Sequence, residues 1–312
     1  MTPGHPQNGT PPRPHRAARD TPAPPDVPPD LPPDLPPIAA RLMMAGATVF
    51  MTVAAMFLGV SLLGLAVILS GVDPKVAVQQ PLWLAAGAFA SQASVFLVVL
   101  LAWRTWQRFR GITRQQARAE LFPMRVPQAL ELFGALLVSF GVAPLAIGVA
   151  TLVGDALGVE AGSAEVVRRA ASAPTLVFCL LLLCISVLPG VVEEALFRGF
   201  VTRLFIEWPW LAWVLPSLLF GLVHLDVVQS IGTAILGLGF GWVRLRSASI
   251  VPAMFAHASY NGAVLVTARF TPEPEEAAGV PVLLVAAGCG VALLGNWLLG
   301  VSLARRASKE PI

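Results

Sequence analysis

Apolar residues run from residue 42 to 303 with only short polar breaks. The breaks delimit eight runs, at 42–70, 82–103, 129–153, 175–200, 208–225, 227–244, 249–268 and 280–303. Each is near the roughly 20 residues a helix needs to cross a bilayer. The pattern predicts an all-α, polytopic membrane helical bundle of about eight transmembrane helices. The fifth and sixth runs are short and meet at Leu225-Asp226, which reads as a tight helical hairpin. Pro189 and Pro216 interrupt the fourth and fifth, as spanning helices tolerate when neighbours re-satisfy the backbone. Ahead of the first run, Pro24–Pro37 repeats Pro-Pro-Asp-Val/Leu every four residues. No core can form from it, so the tail is expected to be disordered with polyproline-II character. The chain therefore divides into a disordered Pro-rich tail (1–40), N-terminal membrane helices (41–170), a central segment (171–268), and a last helix with its own tail (269–312).

Composition agrees with this picture. Of 312 residues, 56% are hydrophobic and 12% charged, and the mean hydropathy is +0.73. A soluble domain of this size is excluded. The net charge of +3 does not point to nucleic acid, because the cations sit between apolar runs and act as topology signals. Placing the N-terminus inside puts 17 of the 21 Lys and Arg on the cytoplasmic side. The four outside would be Lys75, Arg168, Arg169 and Arg269. Both termini of a multi-pass cell-membrane protein are then expected in the cytoplasm. In 104–128 the arginines alternate with Trp103, Trp106, Phe109, Leu121 and Phe122, as in a basic amphipathic helix lying on an anionic leaflet. Cys179, Cys184 and Cys289 all lie in apolar runs and imply no disulfide framework.

Chemistry concentrates in 190–199, Gly-Val-Val-Glu-Glu-Ala-Leu-Phe-Arg-Gly, which closes an uncharged stretch of about 23 residues beginning at Ala170. Charge beside or inside lipid is costly and usually functional. On a helix Glu193 and Glu194 point about 100° apart, and Arg198 is one turn beyond Glu194 and can pair with it. That leaves Glu193 as a candidate general base. Two of the four histidines, His224 and His257, lie inside apolar runs. Phe220 precedes His224 by four residues, so the rings are expected one above the other. Asn261 follows His257 by four, so both project into the same space. Burying these polar groups makes sense only if they face one another or a water-filled cavity.

Glu193-Glu194-x-x-x-Arg198, Phe220-x-x-x-His224 and His257-x-x-x-Asn261 resemble the three motifs of the CPBP family. That family comprises type II CAAX prenyl endopeptidases and the bacteriocin-processing and self-immunity (Abi) proteins. The resemblance covers about residues 175–265 and implies an intramembrane endopeptidase with a catalytic core in 171–268. On it, Glu193, assisted by His224, activates a water for attack on a peptide carbonyl. His257 and Asn261 donate to the oxyanion, and Glu194 and Arg198 form a supporting pair.

The family is often classed as metalloprotease, and Glu193, His224 and His257 could supply three zinc ligands with a fourth position open for water. No His-Glu-x-x-His helix occurs, and Asn261 suits an oxyanion better than zinc, so no cofactor is favoured. The expected partners are a membrane-anchored protein or peptide substrate, possibly prenylated at a CAAX-type end, and an anionic leaflet contacted through 104–125. Two readings of other classes compete: a transporter or proton relay, and a non-catalytic membrane scaffold in bacteriocin immunity.

Overall fold

In a computed structural model, which describes residues 36–271 and 280–308 besides Met1, every described element is helical. The expected tail over residues 2–35, most of the last extramembrane loop (272–279) and Lys309 lie outside the described residues. In chain order the helices are α1 (Ile38–Leu69), α2 (Pro74–Gln79), α3 (Pro81–Arg110), α4 (Arg114–Leu121), α5 (Ala129–Leu157) and α6 (Gly162–Ala171). They continue with α7 (Thr175–Leu204), α8 (Pro209–Leu222), α9 (Val227–Ser247), α10 (Val251–Phe270) and α11 (Val282–Ala307).

All eight apolar runs are helices, and α1, α3, α5, α7, α9 and α11 are each long and apolar enough to cross a membrane. The other two depart from that standard for visible reasons. α8 has 14 residues, because the chain turns back early at the hairpin. α10 has 20 but spends its length on His257, Asn261 and Arg269. The hairpin appears where it was expected: Leu225 takes φ 57°, and Asp226 caps α9 by accepting the backbone N–H of Gln229 at 2.7 Å. A positive φ is unfavourable for a leucine, so the tight turn is imposed by the packing of α8 on α9.

Several helix ends run further than the apolar pattern indicated. α3 continues through Arg110, and α7 continues four residues past 200 to Leu204. Arg203, which lies beyond the fourth apolar run, therefore belongs to the helix itself, as Arg198 does. The 104–128 stretch is also folded onto the protein. Trp106 and Leu121 are fully buried, and Trp106 meets Phe200 of α7 edge-on at 6.2 Å. Its indole N–H donates to Glu120, which also accepts from Arg203. Arg104, Arg108, Arg114 and Arg118 keep their exposure.

Hydrogen bonds define two opposite ends of the bundle. At one, Arg41 pairs with Glu207 at 2.8 Å, Arg125 donates to the Ser247 carbonyl, and Arg306 donates to that of Val126. At the other, Arg169 reaches Gln79, Arg269 donates to the carbonyls of Ala171 and Ala173, and Asp226 accepts from Gly162. The Asp226 carboxyl is held below the usual carboxylate range by the backbone N–H groups of Gln229 and Gly162. Lys75, Arg168, Arg169 and Arg269 lie at this second end, so the division of cations in the sequence is a division in space. α7 and α9 are the most enclosed spans, while α1 and α11 are the least.

Candidate active site

The site begins with the irregularity of α7. Two stretches of it, Leu183–Val187 and Ala195–Val201, are π-helical, and Glu193 and Glu194 lie in the α-helical turns between them. A π turn widens the helix, leaves carbonyls free for other donors, and is common at functional sites. Here the Ile185 carbonyl accepts from Asn261 Nδ2 at 3.2 Å, and that of Arg198 accepts from Arg244 Nε at 3.2 Å. Ser186 adds a hydroxyl donated to the Ala258 carbonyl at 2.7 Å. These bonds fasten α7 to α10 on one side and to α9 on the other.

Close approach of α10 depends on Gly190. A Cβ there would lie 2.7 Å from that of Ala258 and 2.8 Å from its backbone nitrogen, so only glycine fits. Glu193 then lies eleven residues before the end of α7. The sequence alone left its depth unresolved against that of His224. Extension of α7 to Leu204 moves Glu193 inward and brings the two into one cavity.

Glu194 and Arg198 are both fully buried and pair at 3.0 Å across one turn. His257 Nδ1 lies 2.9 Å from the same carboxylate oxygen. Arg198 also donates to the Gly237 carbonyl at 2.8 Å and lies over the rings of Phe220 at 4.6 Å and Phe240 at 5.6 Å. Gly237 makes that reach feasible, since a Cβ would meet Arg198 Nη2 at 3.0 Å and Phe220 at 3.1 Å. Phe240 stacks on His257 at 4.7 Å and 12°. Phe220 meets Phe197, His224 and His257 edge-on at 5.4, 5.3 and 5.5 Å. The expectation that the Phe220 and His224 rings lie one above the other is corrected: their planes are nearly perpendicular, at 87°.

Glu193 is half-buried and points elsewhere. It borders a cavity of about 520 Å³ whose wall includes His224, His257, Tyr260 and Asn261, with Gln92 from α3. Gln92 Nε2 donates to Glu193 Oε1 at 2.8 Å. The four residues assigned chemical roles from the sequence thus share one cavity, and the two assigned support roles, Glu194 and Arg198, form the sealed layer behind it. Phe220 touches both.

The hydrogen bonds determine which ring nitrogens carry protons. A backbone carbonyl can only accept, so His224 Nδ1, 2.9 Å from the Phe220 carbonyl, carries a proton and leaves Nε2 with a lone pair in the neutral ring. The Glu194 carboxylate likewise requires a proton on His257 Nδ1. With that proton on Nδ1, His257 Nε2 holds a lone pair in the neutral ring and can donate only when the ring carries both protons.

Among the described residues no three His, Cys, Asp or Glu side chains converge as a metal ion would need. Glu193 Oε1 accepts from Gln92 and His257 Nδ1 faces Glu194, and among the described residues Glu193, His224 and His257 do not converge as a three-ligand set. Gln92, Phe240 and Gly237 were not singled out from the sequence. Gln92 had a signal, being an amide within an apolar run. Phe240 and Gly237 had none, since both are ordinary in a spanning helix.

Residues 175–263 match the family model of type II CAAX prenyl endopeptidase Rce1-like. No curated protein and no solved structure matches the chain.

Proposed function

With residues 175–263 carrying the signature of a CPBP family intramembrane protease, we propose that this multi-pass protein hydrolyses peptide bonds of membrane-anchored substrates. We assign the chemistry to a water activated by Glu193 and His224. The observation that carries this reading is the single cavity bordered by Glu193, His224, His257 and Asn261.

Glu193 is the base that takes the proton of the attacking water, and His224 Nε2 is the neighbouring acceptor that assists it. Attack forms a tetrahedral oxyanion, which needs fixed donors in a water-poor site. Asn261 Nδ2 supplies one, and His257 Nε2 supplies the other when the ring carries both protons. The proton held by Glu193 then passes to the departing amine. Activity on a CAAX-type prenylated protein follows from the matched family's description, and the depth of the site suits a chain end anchored in the same bilayer. No metal takes part in this scheme. The end of the bundle with Arg41, Arg125 and Arg306 faces the cytoplasm, and exposed Arg104, Arg108, Arg114 and Arg118 lie against an anionic leaflet.

The test compares membrane proteomes of cells expressing the native chain and Glu193→Gln. Membrane-anchored proteins with a shortened C-terminus are expected only with the native chain. Identical termini in both would refute the peptidase reading.

A further inference from the structure

The motifs place every assigned group in 175–263, yet the carboxylate taken as the base is held from outside that segment. We propose that Gln92 of α3 is a positioning residue whose side-chain amide holds Glu193 by one oxygen and keeps the other free for the reacting water. The inference rests on the reading of Glu193 as the base.

Three observations carry it. The first is the bond itself, Nε2 to Oε1 at 2.8 Å. A carboxylate only accepts, so the amide cannot be turned round, and Nε2 must be the atom facing Glu193.

The second is what that orientation leaves behind. Gln92 is only 7% exposed, and its Oε1 is buried with no hydrogen-bond partner among the described residues. A buried carbonyl without a donor destabilises the fold. Methionine or leucine of similar size would carry no such defect, so packing alone does not account for an amide here. The bond to Glu193 does.

The third is location. Gln92 borders both the cavity containing Glu193 and a separate, almost wholly apolar groove of about 640 Å³ between α3 and α7. It stands at the wall between them. Of the groove's other lining residues only Arg118 is ionisable, so on that side the amide supplies the polar contact nearest to Glu193. Without it the carboxylate would be free to swing out of line with His224, and small misplacements of reacting groups cost large factors in rate.

The experiment uses the full-length chain in lipid nanodiscs, as native protein, Gln92→Met, Gln92→Asn and Glu193→Gln. Three quantities are read: melting temperature, the rate at which dicyclohexylcarbodiimide modifies Glu193 (followed by mass spectrometry), and kcat and KM on a farnesylated reporter peptide. Gln92→Met should melt at or above the native temperature, because the unpaired carbonyl is gone. Its Glu193 should react at least about threefold faster, because no donor occupies Oε1. Its kcat should fall by about tenfold or more with KM within about twofold. Gln92→Asn, one methylene shorter, should shift the modification rate and kcat in the same direction.

Unchanged modification rate and unchanged kcat in Gln92→Met would overturn the positioning role while leaving Glu193 as base. A lower melting temperature in both Gln92 variants would also overturn it, by making Gln92 a packing residue. Turnover retained by Glu193→Gln would instead remove the reading of Glu193, and the role of Gln92 with it. The carbodiimide rate needs no substrate, so it decides the matter even if the farnesylated peptide is not cleaved.

Discussion

Glu194 is enclosed by protein on every side, whereas Glu193, one residue earlier, borders a cavity and is held by an amide from another helix. Glu194 has 0% exposure, and its Oε1 serves both Arg198 and His257. Its other oxygen has no partner among the described residues. Glu193 meets a neutral donor at one oxygen and no described cation pairs with it in a salt bridge. The difference shows how one helix can bury two adjacent carboxylates for separate ends. The pair with Arg198 satisfies one charge and joins α7, α9 and α10, while the other carboxylate borders the cavity. Adjacent residues on a helix point about 100° apart, so each carboxylate of α7 faces different neighbours.

The largest effect is expected where the sealed side is broken. Arg198→Ala leaves the Glu194 charge buried without its cation, which costs about 3–5 kcal/mol. Yield in the membrane fraction and melting temperature should both fall sharply. A variant that folds like the native chain would show the pair to be dispensable.

Next come the two histidines, one on each side of the comparison. His224→Gln removes the lone pair beside Glu193 and should cost about 10²–10⁴ in kcat, the usual range for a general base or its partner. His257→Gln keeps an N–H that can reach the oxyanion. It should lose less than the roughly 10²–10³ seen when such a donor is deleted, while melting lower because Glu194 loses a partner. Steady-state kinetics and thermal unfolding on both variants check the ordering. Equal losses in rate with equal melting temperatures would erase the distinction.

The smallest effect is expected from metal removal. Dialysis of the purified chain against a strong chelator should change kcat by less than about twofold, and elemental analysis should find no stoichiometric zinc. One zinc per active chain, with activity lost on chelation and restored by zinc, would replace the glutamate-only scheme.

The sequence made one half of this comparison far more legible than the other. The Glu194–Arg198 pair follows from i,i+4 geometry on any helix, and the two are paired. The eight helices follow from apolar runs whose period needs no tertiary knowledge. The hairpin at Leu225-Asp226 was marked by the break itself. What the sequence could not show arises between helices. The hold of Gln92 on Glu193 joins residues 101 apart in the chain, and His257 bonds to Glu194 across 63. The π turns leave no local signature, so the length of α7 and the depth of Glu193 stayed open. Trp106 and Leu121 read as a lipid-facing stripe because burial against α7 and burial in lipid select the same residue types.

The central claim is the division of labour between the adjacent carboxylates, and one paired measurement addresses it most directly. Glu193→Gln and Glu194→Gln are purified side by side, and each is assayed for melting temperature and for cleavage of a membrane-anchored substrate. Glu193→Gln should melt within a degree or two of the native chain (~0.5 kcal/mol at most, as for a change outside a buried network) and show no detectable cleavage. Glu194→Gln should melt well below both and retain residual turnover in the fraction that folds. Equal melting temperatures with equal loss of cleavage would contradict the account.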